Sequence, residues 1–179
     1  MTDAELASLA PVFAKGEKRQ DGQPIQWTEC DYQIFYWLKL FRQQLGSPLL
    51  VIRETHLHRT GAAKPWDATA VDFTVPAKPL ARVVMELTRF PHLSWGLYTG
   101  GSAHVARRSY DDDAGELPAR WLGIRPEQRR LFEEFGLGHL ISQAAAEAGK
   151  TWLYLSWSGD RGFEALALAI RIADGRVDA

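Results

Sequence analysis

Trp95-Gly96-Leu97-Tyr98-Thr99-Gly100-Gly101-Ser102-Ala103-His104-Val105, residues 95–105, reads as two short strands folded about a Gly100-Gly101 turn, with a histidine set among apolar residues. Two upstream segments share its β-type character: Glu54-Thr55-His56-Leu57-His58 and Ala70-Val71-Asp72-Phe73. Two imidazole positions and a carboxylate on such runs are the inventory of a zinc site with three protein ligands and one open position. Asp72 is costly to bury in its apolar run unless something pairs with it. A metal ion, an arginine or backbone amides would each meet that need.

Around these segments the pattern alternates between helix and strand. Residues 2–13 read as a short helix, followed by a polar loop from Lys15 to Gly22. Thr28-Glu29-Cys30-Asp31 resembles a capped start, after which Ile34, Phe35, Trp37, Leu38, Phe41 and Leu45 recur at helical spacing until Gly46. The segments 49–58 and 68–75 are strand candidates, and Pro79 opens an amphipathic helix carrying Leu80, Val83, Val84, Leu87 and Phe90. Beyond the acidic run Asp111-Asp112-Asp113, read as a solvated loop, helices are expected over 126–135 and 137–148, separated by Gly136. The end of the chain reads as a hairpin: Trp152 to Trp157 as first strand, Ser158 to Gly162 as turn, and 163–172 as a returning strand in which Leu166, Leu168, Ile170 and Ile172 alternate with Ala165, Ala167, Ala169 and Arg171, although the alanines also suit a helix.

With 179 residues, 46% of them hydrophobic, the chain can bury one sizeable core, and a single domain over 1–179 is expected. The formal net charge of -1 gives no reason to expect nucleic acid or an anionic membrane as partner. Cys30 is the only cysteine, so any zinc must take nitrogen and oxygen ligands. Asp3 and Glu5 stand where a secretory signal would carry positive charge, and no apolar run is long enough to span a bilayer. The expectation is synthesis in the cytoplasm without a signal peptide.

The order of strand with histidine, strand with Ala-Val-Asp-Phe, helix, then Gly-Leu-Tyr, glycine turn and His-Val resembles the zinc D-Ala-D-Ala carboxypeptidase family, whose fold is shared with the Hedgehog signalling domain. The resemblance covers roughly residues 33–108. It implies an α+β fold, a small antiparallel sheet packed with helices, in which 24–110 form the peptidase-like core and 111–179 an added helical and hairpin segment. It also implies one zinc ion, with Asp72 as carboxylate ligand and His104 as a histidine ligand. For the first histidine ligand, His58 begins a His-x-x-Gly fragment through Arg59-Thr60-Gly61, and His56 shares its strand face. The substrate would be a peptidoglycan stem peptide, its terminal carboxylate held by Arg53 or Arg59 because a guanidinium fork pairs bidentately with a carboxylate, with Tyr98 alongside. Bound zinc would lower the pKa of water to roughly 7 and polarise the scissile carbonyl.

Three positions depart from the family pattern. Pro65 stands seven residues before Asp72, where the first histidine belongs; Gly101 stands three before His104, where many relatives carry the acidic base; and Ala106 replaces an aspartate. A general base must then come from elsewhere, with Glu54, Asp67 and His92 as candidates. Two functions follow. One is a peptidase, phage-derived and released by lysis or carried in a virion. The other keeps the fold without catalysis and serves as a structural or binding component of a virion or similar assembly, docking through the C-terminal segment. Trp66, Trp95 and Trp121 are the tryptophans expected to line a groove.

Overall fold

The computed structural model describes residues 1–53, 57–58, 67–68, 70–90, 93–106, 120–141, 153–156 and 159–177. Its helices are α1 (Asp3–Leu9), α2 (Tyr32–Leu45), α3 (Leu80–Leu87), α4 (Arg129–Glu134) and α5 (Gly159–Ala173). Its strands are β1 (Leu50–Arg53), β2 (Leu57–His58), β3 (Asp67–Ala68), β4 (Ala70–Thr74), β5 (Ser94–Tyr98), β6 (Ser102–Ala106), β7 (Arg120–Ile124) and β8 (Leu153–Ser156). Strand order in the main sheet is β1-β4-β6-β5-β7-β8, and β2 and β3 form a separate pair. The class is α+β, as expected. Antiparallel pairing holds for β1/β4, β2/β3 and β7/β8. The main sheet taken whole is mixed rather than wholly antiparallel; the connection from β4 to its neighbour β6 runs through α3 and β5, and so long a connection does not force antiparallel neighbours as a short hairpin does.

The chain divides into two compact units, Met1–Trp95 with His104–Ala119, and Gly96–Ala103 with Arg120–Ala179. In the first, α1 begins with a reciprocal cap in which the Thr2 hydroxyl accepts from the Glu5 amide and the Thr2 amide donates to the Glu5 carboxylate. That donation from the Thr2 backbone holds the Glu5 carboxyl below its usual range. The helix stops at Leu9, short of the expected residue 13, as Pro11 brings no amide to continue it.

Helix α2 starts where its sequence says it should. Asp31 Oδ1 accepts from the amides of Gln33 at 2.8 Å and Ile34 at 3.2 Å, and Gly46 closes the helix at φ 60°. Asp31→Ala is expected to cost about 1 kcal/mol in urea unfolding, with Asp31→Asn retaining most of it. An unchanged midpoint in the alanine variant would remove the cap from the account. The buried face of α2, Ile34, Phe35, Leu38, Phe41 and Leu45, meets an aromatic cluster in which Phe35 stands edge-on to Phe13 at 5.2 Å and to Trp27 at 5.1 Å.

Helix α3 buries Leu80, Val83, Val84 and Leu87, the positions its spacing predicts. Glu86 is also buried, and it is braced by Arg82 at 2.8 Å and Arg89 at 3.2 Å. Leu38 and Phe41 of α2, Leu87 of α3 and Val105 of β6 line one small apolar groove, and Phe41 stands edge-on to Phe73 of β4 at 5.5 Å. The helices therefore cover one face of the β4–β6 region. The loop before α2 reaches β1, where the Gln20 amide donates to the Val51 carbonyl at 2.7 Å and Lys18 bridges to Pro24.

In the second unit, β8 matches the strand expected over 152–157, and each residue of Leu153–Ser156 has a partner on β7. The returning strand expected over 163–172 is not there. Residues 159–173 are helical, and Gly162, Ala165, Leu166, Leu168 and Ala169 are buried at helical spacing. The alanines that alternate with leucine supply apolar surface at both periods, and their helix propensity tips the balance. The expected turn at 158–162 thereby becomes, from Gly159, the first turn of α5. Strand β7 was not foreseen at all. The helix expected over 126–135 is a 3-10 turn followed by α4, and of the one expected over 137–148 the described residues include a 3-10 turn at Gly138–Leu140. The acidic run 111–113 lies outside the described residues. Among the described residues, no helix is long and apolar enough to cross a membrane.

Candidate functional site

Alternation along β4 separates two chemistries. Val71 and Phe73 are buried, while Asp72 and Thr74 are only partly so, which places Asp72 on the face opposite the helices. On β6 the same rule applies: Val105 lines the helix-side groove, so His104 belongs to the other face. Since β4 and β6 are neighbours, the two polar residues meet. His104 Nδ1 lies 2.7 Å from Asp72 Oδ1, with the imidazole at 0% exposure and the carboxylate at 14%.

An ionised carboxylate has no proton to give, so in this bond Nδ1 donates and Asp72 accepts. The carboxylate thereby fixes both the tautomer and the plane of the ring. A protonated ring nitrogen has no lone pair for a metal, so for both atoms to ligate one zinc the Nδ1 proton would have to leave; with it gone, they are one nitrogen and one oxygen donor of the kinds zinc takes. Two members of the expected ligand set are thus compatible with that ion. Among the described residues, no group of three or more His, Cys, Asp or Glu is gathered. His58 is in β2 with Asp67 as its register partner on β3.

The other candidates divide cleanly. Arg53 ends β1 and is the register partner of Asp72. Tyr98 is half-buried in the second unit, where its ring lies against Gly123 and stands edge-on to Trp121 at 5.1 Å. That contact gives Tyr98 a packing role alongside any role toward substrate. Glu54, His56, Arg59, Trp66 and His92 lie outside the described residues. Trp95 and Trp121 do not line a groove: they are 2% and 5% exposed, in β5 and β7.

Two of the three departures from the family pattern have structural settings. Gly101 has φ +88° at the apex of the β5–β6 turn, a backbone that favours glycine over an acidic side chain. Ala106 is buried at the end of β6. Pro65 lies outside the described residues.

Sequence reasoning missed two features of the described strands. The first is the register of Arg53. The second is the glycine of Gly96-Leu97-Tyr98, which carries the indole of Trp121 directly over its Cα, where a Cβ would overlap Cδ2, Cε2 and Cζ2. Compared with protein-family models, with curated proteins and with solved structures, the chain gives no significant match.

Proposed function

We propose that this protein is a zinc D-Ala-D-Ala carboxypeptidase-like peptidase acting on peptidoglycan stem peptides, of phage origin. The observation that supports it is the meeting of Asp72 and His104 at 2.7 Å from different strands, the two positions that the motif resemblance pairs as ligands. In this reading His58, Asp72 and His104 would hold one zinc, the hydrogen bond between Asp72 and His104 giving way to the ion. Zinc, when bound, supplies Lewis acidity toward the scissile carbonyl. Arg53, Arg59 and Tyr98 orient the peptide and its carboxylate, and Glu54, Asp67 or His92 moves the proton.

Metal analysis of purified protein is expected to find about one zinc per chain, lost in His104→Ala and in Asp72→Ala. Asp72→Ala also leaves a buried imidazole N–H without this acceptor, which costs about 1–3 kcal/mol. Circular dichroism must therefore accompany the metal assay. Protein that holds no zinc, takes none up and leaves muropeptides uncut would end this reading.

A second reading draws on Gly101 and Ala106, which offer no carboxylate at two motif positions where relatives carry one. It takes the fold as kept and the catalysis as lost, in a structural or binding component of a virion or similar assembly. Light scattering and co-purifying partners test it, and a strict monomer with turnover counts against it.

A further inference from the structure

We propose that α5 is the contact through which two copies of this chain associate, helix against helix and antiparallel. Its buried residues, among them Ala165, Leu166, Leu168 and Ala169, turn toward its own unit, where the helix meets β7. The outward side is not wholly polar. Phe163, 69% exposed, is the most exposed large apolar side chain among the described residues. Ala167 is exposed and Ile170 half-buried, and with Phe163 they stand at i, i+4 and i+7, one stripe along the helix. A lone exposed phenylalanine needs no partner, but a stripe at this spacing is the kind of seam by which helices pair.

Charge selects the partner. Glu164 and Arg171, both exposed, are one heptad apart, so they flank the stripe on the same side with opposite sign. A two-fold axis crossing the helix midway between Ala167 and Ile170 runs the partner's α5 antiparallel to this one. Ala167 then lies opposite the partner's Ile170, small against large, and Phe163 lies over the partner's last helical turn. The same rotation brings Glu164 to the partner's Arg171, and Arg171 to the partner's Glu164. Glu164 also pairs with Arg161 of its own helix, and a carboxylate has lone pairs for a second guanidinium. A parallel pairing would not bring these two charges together. The contact lies within the second unit and is independent of both functional readings.

Sedimentation equilibrium of the full chain tests it. One helix per protomer is a small interface, so the dimer is expected at concentrations on the order of 100 µM. Ala167→Glu is expected to weaken association by about tenfold or more, with the circular dichroism of the monomer unchanged. Phe163→Gln is read in its place if that spectrum changes. Glu164→Arg alone sets arginine against arginine, and Arg171→Glu alone sets glutamate against glutamate, so each is expected to dimerise less than wild type. Mixed in equal amounts, the two variants regain opposite charges at both contacts and are expected to associate with each other. A wild type that stays monomeric throughout, or a mixture no more associated than either variant alone, would overturn the proposal.

Discussion

Gly96→Ala is expected to destabilise the protein by about 3 kcal/mol, the upper part of the range for forcing atoms into a filled space. The added methyl group would occupy the position of the Trp121 indole, and that ring is 5% exposed with Tyr98 edge-on to it. Tyr98 in turn lies over Gly123, where a Cβ would meet Cδ1 and Cε1 of the tyrosine ring. Each strand thus gives up a side chain so that the other can lay an aromatic ring across it. The decisive comparison is made with Trp121→Ala, where the overlapping ring is gone. Adding Gly96→Ala there should change the urea midpoint little, whereas an equal loss in both backgrounds would trace the penalty to the backbone.

Phe73→Ala is expected to cost about 3–5 kcal/mol, the usual range for emptying a buried phenylalanine site. The ring has 0% exposure, stands edge-on to Phe41, and its strand position pairs with Val51. Phe73→Leu keeps most of the volume and should cost under about half as much. A loss below about 1 kcal/mol in the alanine variant would mean that the core behind β4 collapses into the space. Because Asp72 precedes Phe73 on the strand, the Nδ1 proton of His104 also reports whether such a cavity disturbs the polar face.

The helices best read from sequence are those whose ends are marked chemically. Asp31 and Gly46 bracket α2, and Pro79 sits at the N-cap of α3, so spacing and punctuation agreed. At 163–172 they did not: leucine and isoleucine alternate with residues that include three alanines, so the run satisfies a period of two and a period of 3.6, and burial of Ala165 and Ala169 selects the helix. Strand β7 carried a signal, the short apolar run Trp121-Leu122-Gly123-Ile124 between Pro118 and Pro126, but without alternation to mark it.

At the site, the pairing of Asp72 with His104 was legible because both sit in motif fragments with strand character. The register of Arg53 was not, since the bulge at Ile52 has no glycine to announce it. The role of Gly96 was hidden for another reason: the ring that needs its bare Cα comes from residue 121, and nothing local to the hairpin points that far.

The loop ahead of α2 bears on how the protein behaves when concentrated. An outermost strand offers unpaired amides and carbonyls to any extended chain that drifts past, a common beginning of aggregation. Strand β1 is such a strand, yet its Val51 carbonyl is already taken by the chain's own Gln20 amide. A second molecule seeking to add itself there would first have to displace the segment around residue 20.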